Sequence, residues 1–281
     1  MRRRALLFLL ALSTCVHPTR TARAPAPGEA TLRVVTFNLN YGLAGDEETL
    51  AAIAAPDADL ILLQETSPEW EREIRKALGA RWPHQAFVHA PAAGGLAVLS
   101  KRAFAVEDVL GNPGGWFPAM RVVAQTPLGQ VQALVVHLHP PVTEDGSWVR
   151  GYASTGGVRR AELEAWLPSL DPSLPTLVAG DFNEGTSGDA VQLLEDVGLR
   201  TALPEFDPRA KTWRWSVGPL QLAAQLDHVT YGPALEPLGA YVERRGRSDH
   251  FPVVVDFARA REARRPPAPS GSSLSVSLSA R

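Results

Sequence analysis

Short apolar runs, each closed by a polar or turn-forming residue, dominate the chain, and only a few segments carry the i, i+3, i+4 apolar spacing of a helix. The runs predict strands over Thr31 to Asn38, Asp59 to Gln64, Gly95 to Ser100, Ala103 to Leu110, Ala119 to Thr126 and Gln130 to Leu138, with Pro127-Leu128-Gly129 as the turn between the last two. Leu177-Val178-Ala179-Gly180-Asp181-Phe182-Asn183-Glu184 reads as a buried strand running straight into polar groups, and Trp213 to Ser216, Gln225 to Tyr231, Gly239 to Glu243 and Pro252 to Phe257 complete the set. Helices are predicted over Asp46 to Ala55, with an acidic first turn, and from the N-cap Ser67 and first-turn Pro68 to about Leu78. Two more are predicted over Gly157 to Leu167 and Gly188 to Val197, while residues 140–157 carry little regular pattern. Strands outnumber helices, and many neighbours are joined as hairpins. The fold class this order predicts is α/β of the α+β kind: a four-layer sandwich of two packed, mainly antiparallel sheets flanked by helices, in one domain over residues 31–259.

Composition agrees with a sizeable core. Hydrophobic residues make up 45% and charged residues 21%, which excludes global disorder. The formal net charge is -2, and setting aside Arg2 to Arg4 leaves 25 basic residues against 30 acidic. That balance excludes a broad basic surface gripping nucleic acid but leaves room for a local basic groove.

The three arginines open an export signal, a cationic start followed by the apolar stretch Ala5 to Leu12, which is too short to span a bilayer. Residues 1–15 are read as that signal, residues 16–30 as a Pro/Ala-rich tether and residues 260–281 as a disordered tail. Leu12-Ser13-Thr14-Cys15 resembles a bacterial lipoprotein cleavage box, in which Cys15 would carry a lipid anchor, although Thr14 departs from the usual Gly, Ala or Ser. The expected location is therefore outside the cytoplasm: periplasmic, secreted or lipid-anchored at the envelope. Cys15 is the only cysteine, so the mature domain has no disulfide, no cysteine-based zinc site and no thiol nucleophile. Nothing in the sequence predicts a stable protein partner.

The chemistry lies where the apolar runs stop. The strands end in, or are flanked by, Asn38-Leu39-Asn40, Gln64-Glu65, His137-Leu138-His139, Asp181-Phe182-Asn183, Leu226-Asp227-His228 and Ser248-Asp249-His250. Each alone reads equally as a strand cap, an Asx turn or a satisfied histidine. Together, at the mouths of hydrophobic strands, such groups are costly unless they pair with one another or with an ion. Carboxylates and carboxamides without cysteine favour a hard cation bound through oxygen, Mg²⁺ or Mn²⁺. A histidine beside an aspartate can activate water, and a second can stabilise charge developing on a phosphate. The set suits hydrolysis of a phosphate ester. There is no Gly-x-Ser-x-Gly elbow for a serine triad, no His-Glu-x-x-His helix and no Walker loop.

The ordered set Thr36-Phe37-Asn38, Leu63-Gln64-Glu65, Val136-His137-Leu138, Gly180-Asp181-Phe182-Asn183, Leu226-Asp227-His228 and Ser248-Asp249-His250 resembles the endonuclease/exonuclease/phosphatase superfamily, of DNase I-like fold, across residues 33–257. That group includes DNase I-like nucleases, abasic-site endonucleases, sphingomyelinases and inositol polyphosphate 5-phosphatases. The resemblance implies that Glu65 is the main metal ligand, with Asn38 beside the metal and orienting phosphate. It implies that Asp181 positions or deprotonates the attacking water, Asn183 holds the phosphate and His137 contacts it. His250, oriented by Asp249 or by Asp227, completes the acid/base centre. Arg121 and Asp227 join Asn38 as substrate-binding candidates, while His139 and His228 are read as structural. Asn40 stands where some members carry Asp, which bears on a second metal site.

The resemblance does not name a substrate. Two loops could set it: residues 111–118, with Trp116 and Phe117, and residues 140–157, with Trp148, Arg150 and Tyr152, whose aromatics could stack on bases, enter a lipid interface or pack as lids. Neither carries a lysine cluster for duplex DNA or a long apolar hairpin. The leading expectation is an exported Mg²⁺-dependent phosphodiesterase or nuclease. A lipid or inositol phosphoester hydrolase is the alternative, and a binding protein with a vestigial site is disfavoured because every acid, amide and histidine is present. Export predicts a mature protein that has lost the leader. Mass measurement of its N-terminus should find either an acylated Cys15 or a clean cut, and retention of Met1 would contradict export.

Overall fold

The computed structural model of the chain describes residues 19–112, 116–142, 151 and 154–261. The leader with Cys15, the loop aromatics Trp148 and Tyr152 with Arg150, and the tail from residue 262 lie outside the described residues.

Two six-stranded sheets pack face to face. The first contains β1 (Leu32–Asn38), β2 (Leu60–Gln64), β3 (His84–Val88), β4 (Leu96–Ser100), β13 (Leu235–Val242) and β14 (Val253–Arg259), in the order β13-β14-β1-β2-β4-β3. The second contains β5 (Phe104–Leu110), β6 (Ala119–Thr126), β7 (Gly129–His137), β8 (Thr176–Asp181), β9 (Arg200–Thr201) and β12 (Asp227–Tyr231), in the order β5-β6-β7-β8-β12-β9. β10 (Trp213–Val217) and β11 (Leu220–Ala224) form a separate two-stranded hairpin. The helices are α1 (Glu47–Ala54), α2 (Pro68–Leu78), α3 (Gly156–Trp166), α4 (Asp189–Asp196) and α5 (Leu203–Phe206).

Three apolar layers follow from the alternation along the strands. Leu62, Val34, Val135, Ala179, Val229 and Val255 meet between the sheets. The neighbouring residues Ile61, Leu63, Val35 and Phe37 face outward onto Ile53 of α1 and onto Trp70 and Ile74 of α2. On the other side, Leu134, Val136 and Val178 face Leu163 and Trp166 of α3 and Val191 and Leu194 of α4. A strand buried on both faces must be apolar throughout, which is why β2 and β8 read as unbroken runs. Local capping fixes the helix starts: Ser67 accepts from Trp70 N at 3.2 Å and Asp46 from Thr49 N at 2.8 Å.

The sheets are mixed, with one parallel pair at the centre of each, β1 with β2 and β7 with β8. This arrangement sends the carboxyl ends of four central strands to one edge of the sandwich. The antiparallel neighbours β12 and β14 begin at that same edge, with Asp227 opposite Asp181. Gly180 makes the close pairing possible: its φ is 155°, and a Cβ there would lie 1.8 Å from the carbonyl oxygen of Val136.

Several elements differ from the sequence expectation: β9 and α5 are additional, and β13 begins at Leu235 rather than Gly239. β3 is an additional edge strand whose residues are only partly covered, so its alternation is weak. The run expected over Gln225 to Tyr231 starts two residues later, and β11 precedes it as the partner of β10. Residues 19–30, expected as a tether, are held against the domain: Arg20 N donates to Glu205 O at 2.6 Å, Arg23 N to Leu238 O at 2.9 Å, and the Arg20 guanidinium pairs with Glu205 at 2.8 Å. Leu62, fully buried between the sheets, should cost about 2–5 kcal/mol when cut to Ala, read as a shift in the urea midpoint. A loss below about 0.5 kcal/mol would contradict this packing.

Candidate active site

Asp181 ends β8 almost wholly shielded from water, with Asn38, Asn183, His137 and His250 around its carboxylate. Its Oδ1 accepts from the Asn183 backbone N–H at 2.8 Å, and its Oδ2 from Asn38 Nδ2 at 3.0 Å. The Nε2 atoms of His137 and His250 lie 3.6 and 3.5 Å from Oδ2. Asn38, at the end of β1, crosses between the sheets and gives its second donor to Glu65 Oε1 at 2.9 Å. The Glu65 carboxylate is also held at Oε2 by Tyr41 N–H at 3.1 Å. One carboxamide thus links the two carboxylates.

The backbone is bent to bring these groups in. Asn40, Glu65 and Asn183 have positive φ of 60°, 58° and 53°, a conformation costly for residues with a Cβ and retained where the surroundings over-determine it. At Asn183 the restraints are its own N–H on Asp181 and its Nδ2 on Leu138 O at 2.8 Å. Behind it, buried Glu184 accepts from Arg159 Nε at 2.7 Å and from the first N–H groups of α4, Ala190 and Val191. Sequence reading gave no role to Arg159 and Glu184, because an ion pair 25 residues apart leaves no local pattern.

The two histidines differ. The His137 Nδ1 donates to the carbonyl of Ala93 at 3.1 Å, since a carbonyl only accepts, and this turns Nε2 toward Asp181. Its ring stacks on Phe117 at 4.4 Å. His250 Nδ1 donates to the Asp227 carboxylate at 2.8 and 3.0 Å. Burial works against the imidazolium, but the carboxylates of Asp227 and Asp181 outweigh it and hold His250 protonated well above the usual imidazole range. Burial, reinforced by Asp181, raises the Asp227 carboxyl, and His250 opposes that rise.

The open choice of orienting aspartate is thereby decided in favour of Asp227. Asp227 is fully buried beneath the imidazole, which corrects its reading as a substrate contact. Asp249 does not reach the His250 ring; it accepts from Asn40 Nδ2 at 3.2 Å and Trp213 Nε1 at 3.1 Å. Ser248 Oγ, also without an assigned role in the sequence reading, donates to Asn38 O at 2.8 Å. Arg121 is not brought into the group. Its neighbours Met120 and Val122 face the inter-sheet core, so it points outward, paired with Asp108 at 2.9 Å. His228 is buried and donates to Glu184 O at 2.8 Å, with burial lowering its pKa to about 4. His139 faces Pro140 O at 2.7 Å and Trp116 at 4.6 Å, with burial pushing its pKa down.

The donor set fits a hard cation. Among the described residues, ligand atoms of Asp181, Asp227 and His250 lie within 4.8 Å of one another. Glu65, half-buried beside Asn38, adds a carboxylate on the more open side. Oxygen donors dominate and negative charge exceeds the histidines' capacity to offset it, which suits a divalent ion of the Mg²⁺ type. Asp227→Asn should lower the His250 pKa by about 1–3 units, followed by NMR titration of the imidazole. An unchanged titration would show that Asp227 does not hold the proton.

With this geometry established, the chain can be set beside known proteins. The fold is similar to the endonuclease/exonuclease/phosphatase from Beutenbergia cavernae DSM 12333, with a TM-score of 0.65 and 22% identity over 82% of this chain and 72% of that one. TDP2 from C. elegans gives a TM-score of 0.59 at 19% identity, covering 81% and 75%. D. rerio TDP2 complexed with single strand DNA product gives 0.60 at 16%, covering 81% and 98%. At these identities the likeness is one of fold. No curated protein matches the chain. The model of the Endonuclease/Exonuclease/phosphatase family matches residues 35–250, a span that holds Asn38, Glu65, His137, Asp181, Asp227 and His250. The chain belongs to the endonuclease/exonuclease/phosphatase family.

Proposed function

We propose that the chain is an exported, Mg²⁺- or Mn²⁺-dependent phosphoester hydrolase that cleaves phosphodiesters, with nucleic acid as the leading substrate class. Members of its family are typically hydrolases of phosphoesters. The observation that carries the proposal is the Asp181 carboxylate set between two imidazole Nε2 atoms, at 3.5 and 3.6 Å, and joined to Glu65 through Asn38. The D. rerio TDP2 structure of similar fold contains single strand DNA product, which supports the substrate class. Export rests on the sequence of residues 1–15.

The residues divide the work as follows. Glu65, with Asn38 beside it, would hold the cation, which when bound supplies Lewis-acid stabilisation of charge on the phosphoryl oxygens. Asp181, fixed by Asn38 and the Asn183 N–H, accepts a proton from the attacking water as its oxygen bonds to phosphorus. His250, kept protonated by Asp227, places positive charge beside that oxygen and the developing phosphorane. His137, with Nδ1 anchored on Ala93, presents Nε2 to a phosphate oxygen, which it serves as donor once protonated. Asn183 holds the phosphate from the adjoining strand end. The P–O bond to the leaving group then breaks, its electron pair going to the leaving oxygen, which takes a proton from solvent.

A second reading, an amphiphilic phosphoester such as a phospholipid, is favoured by one observation. The β10–β11 hairpin leaves Trp215, Leu222 and Leu220 at 52, 50 and 67% exposure, and Trp215 pairs directly with Leu222 on one face. A substrate panel with Mg²⁺ separates the two: single-stranded DNA, RNA, sphingomyelin, phosphoinositides and bis(4-nitrophenyl) phosphate. Glu65→Gln and His250→Ala should each reduce kcat/KM by about 100-fold or more, and EDTA should abolish turnover. Hydrolysis that survives EDTA would overturn the metal assignment. A steep loss with rising salt supports nucleic acid over lipid.

A further inference from the structure

β10 runs antiparallel to the segment that carries His250. Arg214 N donates to Asp249 O at 2.9 Å, Phe251 N donates to Thr212 O at 2.7 Å, and Trp213 lies opposite His250 in a bridge. The residue directly after the imidazole is therefore locked to the hairpin. That residue, Phe251, is almost wholly covered, and two guanidinium groups lie over its ring: Arg214 at 4.3 Å from the centroid and Arg244 at 6.0 Å.

Several other arginines of the domain have acidic partners. Arg159 pairs with Glu184 at 2.7 Å, Arg121 with Asp108 at 2.9 Å, Arg245 with Glu243 at 2.9 Å and Arg247 with Asp46 at 3.6 Å. Neither Arg214 nor Arg244 makes an ion pair among the described residues. Among the described residues neither side chain donates a hydrogen bond to the protein, and guanidinium N–H groups match the oxygens of a phosphate. Two like charges gathered on one ring repel each other, and among the described residues no carboxylate pairs with either, so a bound anion is the group that would offset them.

We infer that Arg214 and Arg244, seated on Phe251, form a second anion subsite that takes a phosphate group of the substrate other than the one being cleaved. The inference rests on the phosphoester-hydrolase reading of the neighbouring site and deepens it. Asp181, His137 and His250 handle one phosphate. The arginine pair would select substrates carrying two, either the next phosphate of a polynucleotide strand or a further phosphate on an inositol headgroup.

The test compares the 5′-(4-nitrophenyl phosphate) ester of thymidine with and without a 3′-phosphate, using the full chain with Mg²⁺, in wild type and in the R214Q/R244Q double variant. The 3′-phosphate should raise wild-type kcat/KM by about tenfold, the effect of roughly one charge-assisted contact. That gain should vanish in the double variant, while the ester lacking the 3′-phosphate is hydrolysed equally by both proteins. Absence of the gain in wild type, or the same gain in both proteins, would overturn the subsite. Failure of wild type to hydrolyse either ester would instead overturn the hydrolase reading beneath it. Inhibition by thymidine 3′,5′-bisphosphate and by inositol 1,4-bisphosphate then separates the sources. Arginine-dependent inhibition supports the subsite, the stronger inhibitor naming its ligand class, and inhibition of equal strength in the double variant overturns it.

Discussion

The carboxylate of Asp181 has almost no contact with solvent, and an ionised group so placed costs on the order of several kcal/mol unless donors and positive charge surround it. What surrounds it comes from both sheets. Asn38 reaches it from β1, its own neighbour Asn183 folds back on it, and the imidazoles of His137 and His250 approach from β7 and from the turn before β14. Asn38 with Glu65, and His137 with Asp181, could not converge if these paired central strands ran antiparallel, because their carboxyl ends would then point to opposite edges. The parallel pairs β1–β2 and β7–β8 are thus the architectural condition for the site. The inter-sheet core beneath them, with Leu62, Val135 and Ala179, fixes their spacing.

Convergence has a conformational cost, and the structure concentrates it at three strand ends. Asn40, Glu65 and Asn183 adopt left-handed backbone conformations, each held by a hydrogen bond to another member of the group. At Gly180 the demand is steric, since a side chain would collide with Val136 O. The buried Arg159–Glu184 pair supports Asn183 from behind and ties α3 and the start of α4 to the end of β8. Strain and burial of polar groups at one edge, above an ordinary apolar core, are what a site organised to act on a bound anion requires.

Much of this was legible in the chain. β2 and β8 announce themselves because a strand covered on both faces has no room for a polar residue until it ends, so Glu65 and Asp181 stand out where the apolar runs stop. The pairing of histidine with aspartate was not legible, since Asp227-His228 and Asp249-His250 are spelled alike. Only the register that puts Asp227 opposite Asp181, beneath the His250 ring, distinguishes them. The outward direction of Arg121 follows from its alternation with Met120 and Val122 and could have been read from period two. The β10–β11 hairpin was half missed because its apolar residues are exposed rather than buried, so the rule that apolar runs seek the core misassigns them.

The proposed chemistry requires a cation held at Glu65, with Asn38 beside it. Crystals of the full chain soaked in Mn²⁺, with data collected at the manganese absorption edge, address this without reference to any substrate. The expected result is an anomalous peak coordinated by the Glu65 carboxylate and lost in the Glu65→Gln protein. A peak bound elsewhere on the chain, or none at a concentration that saturates related oxygen-ligand sites, would contradict it.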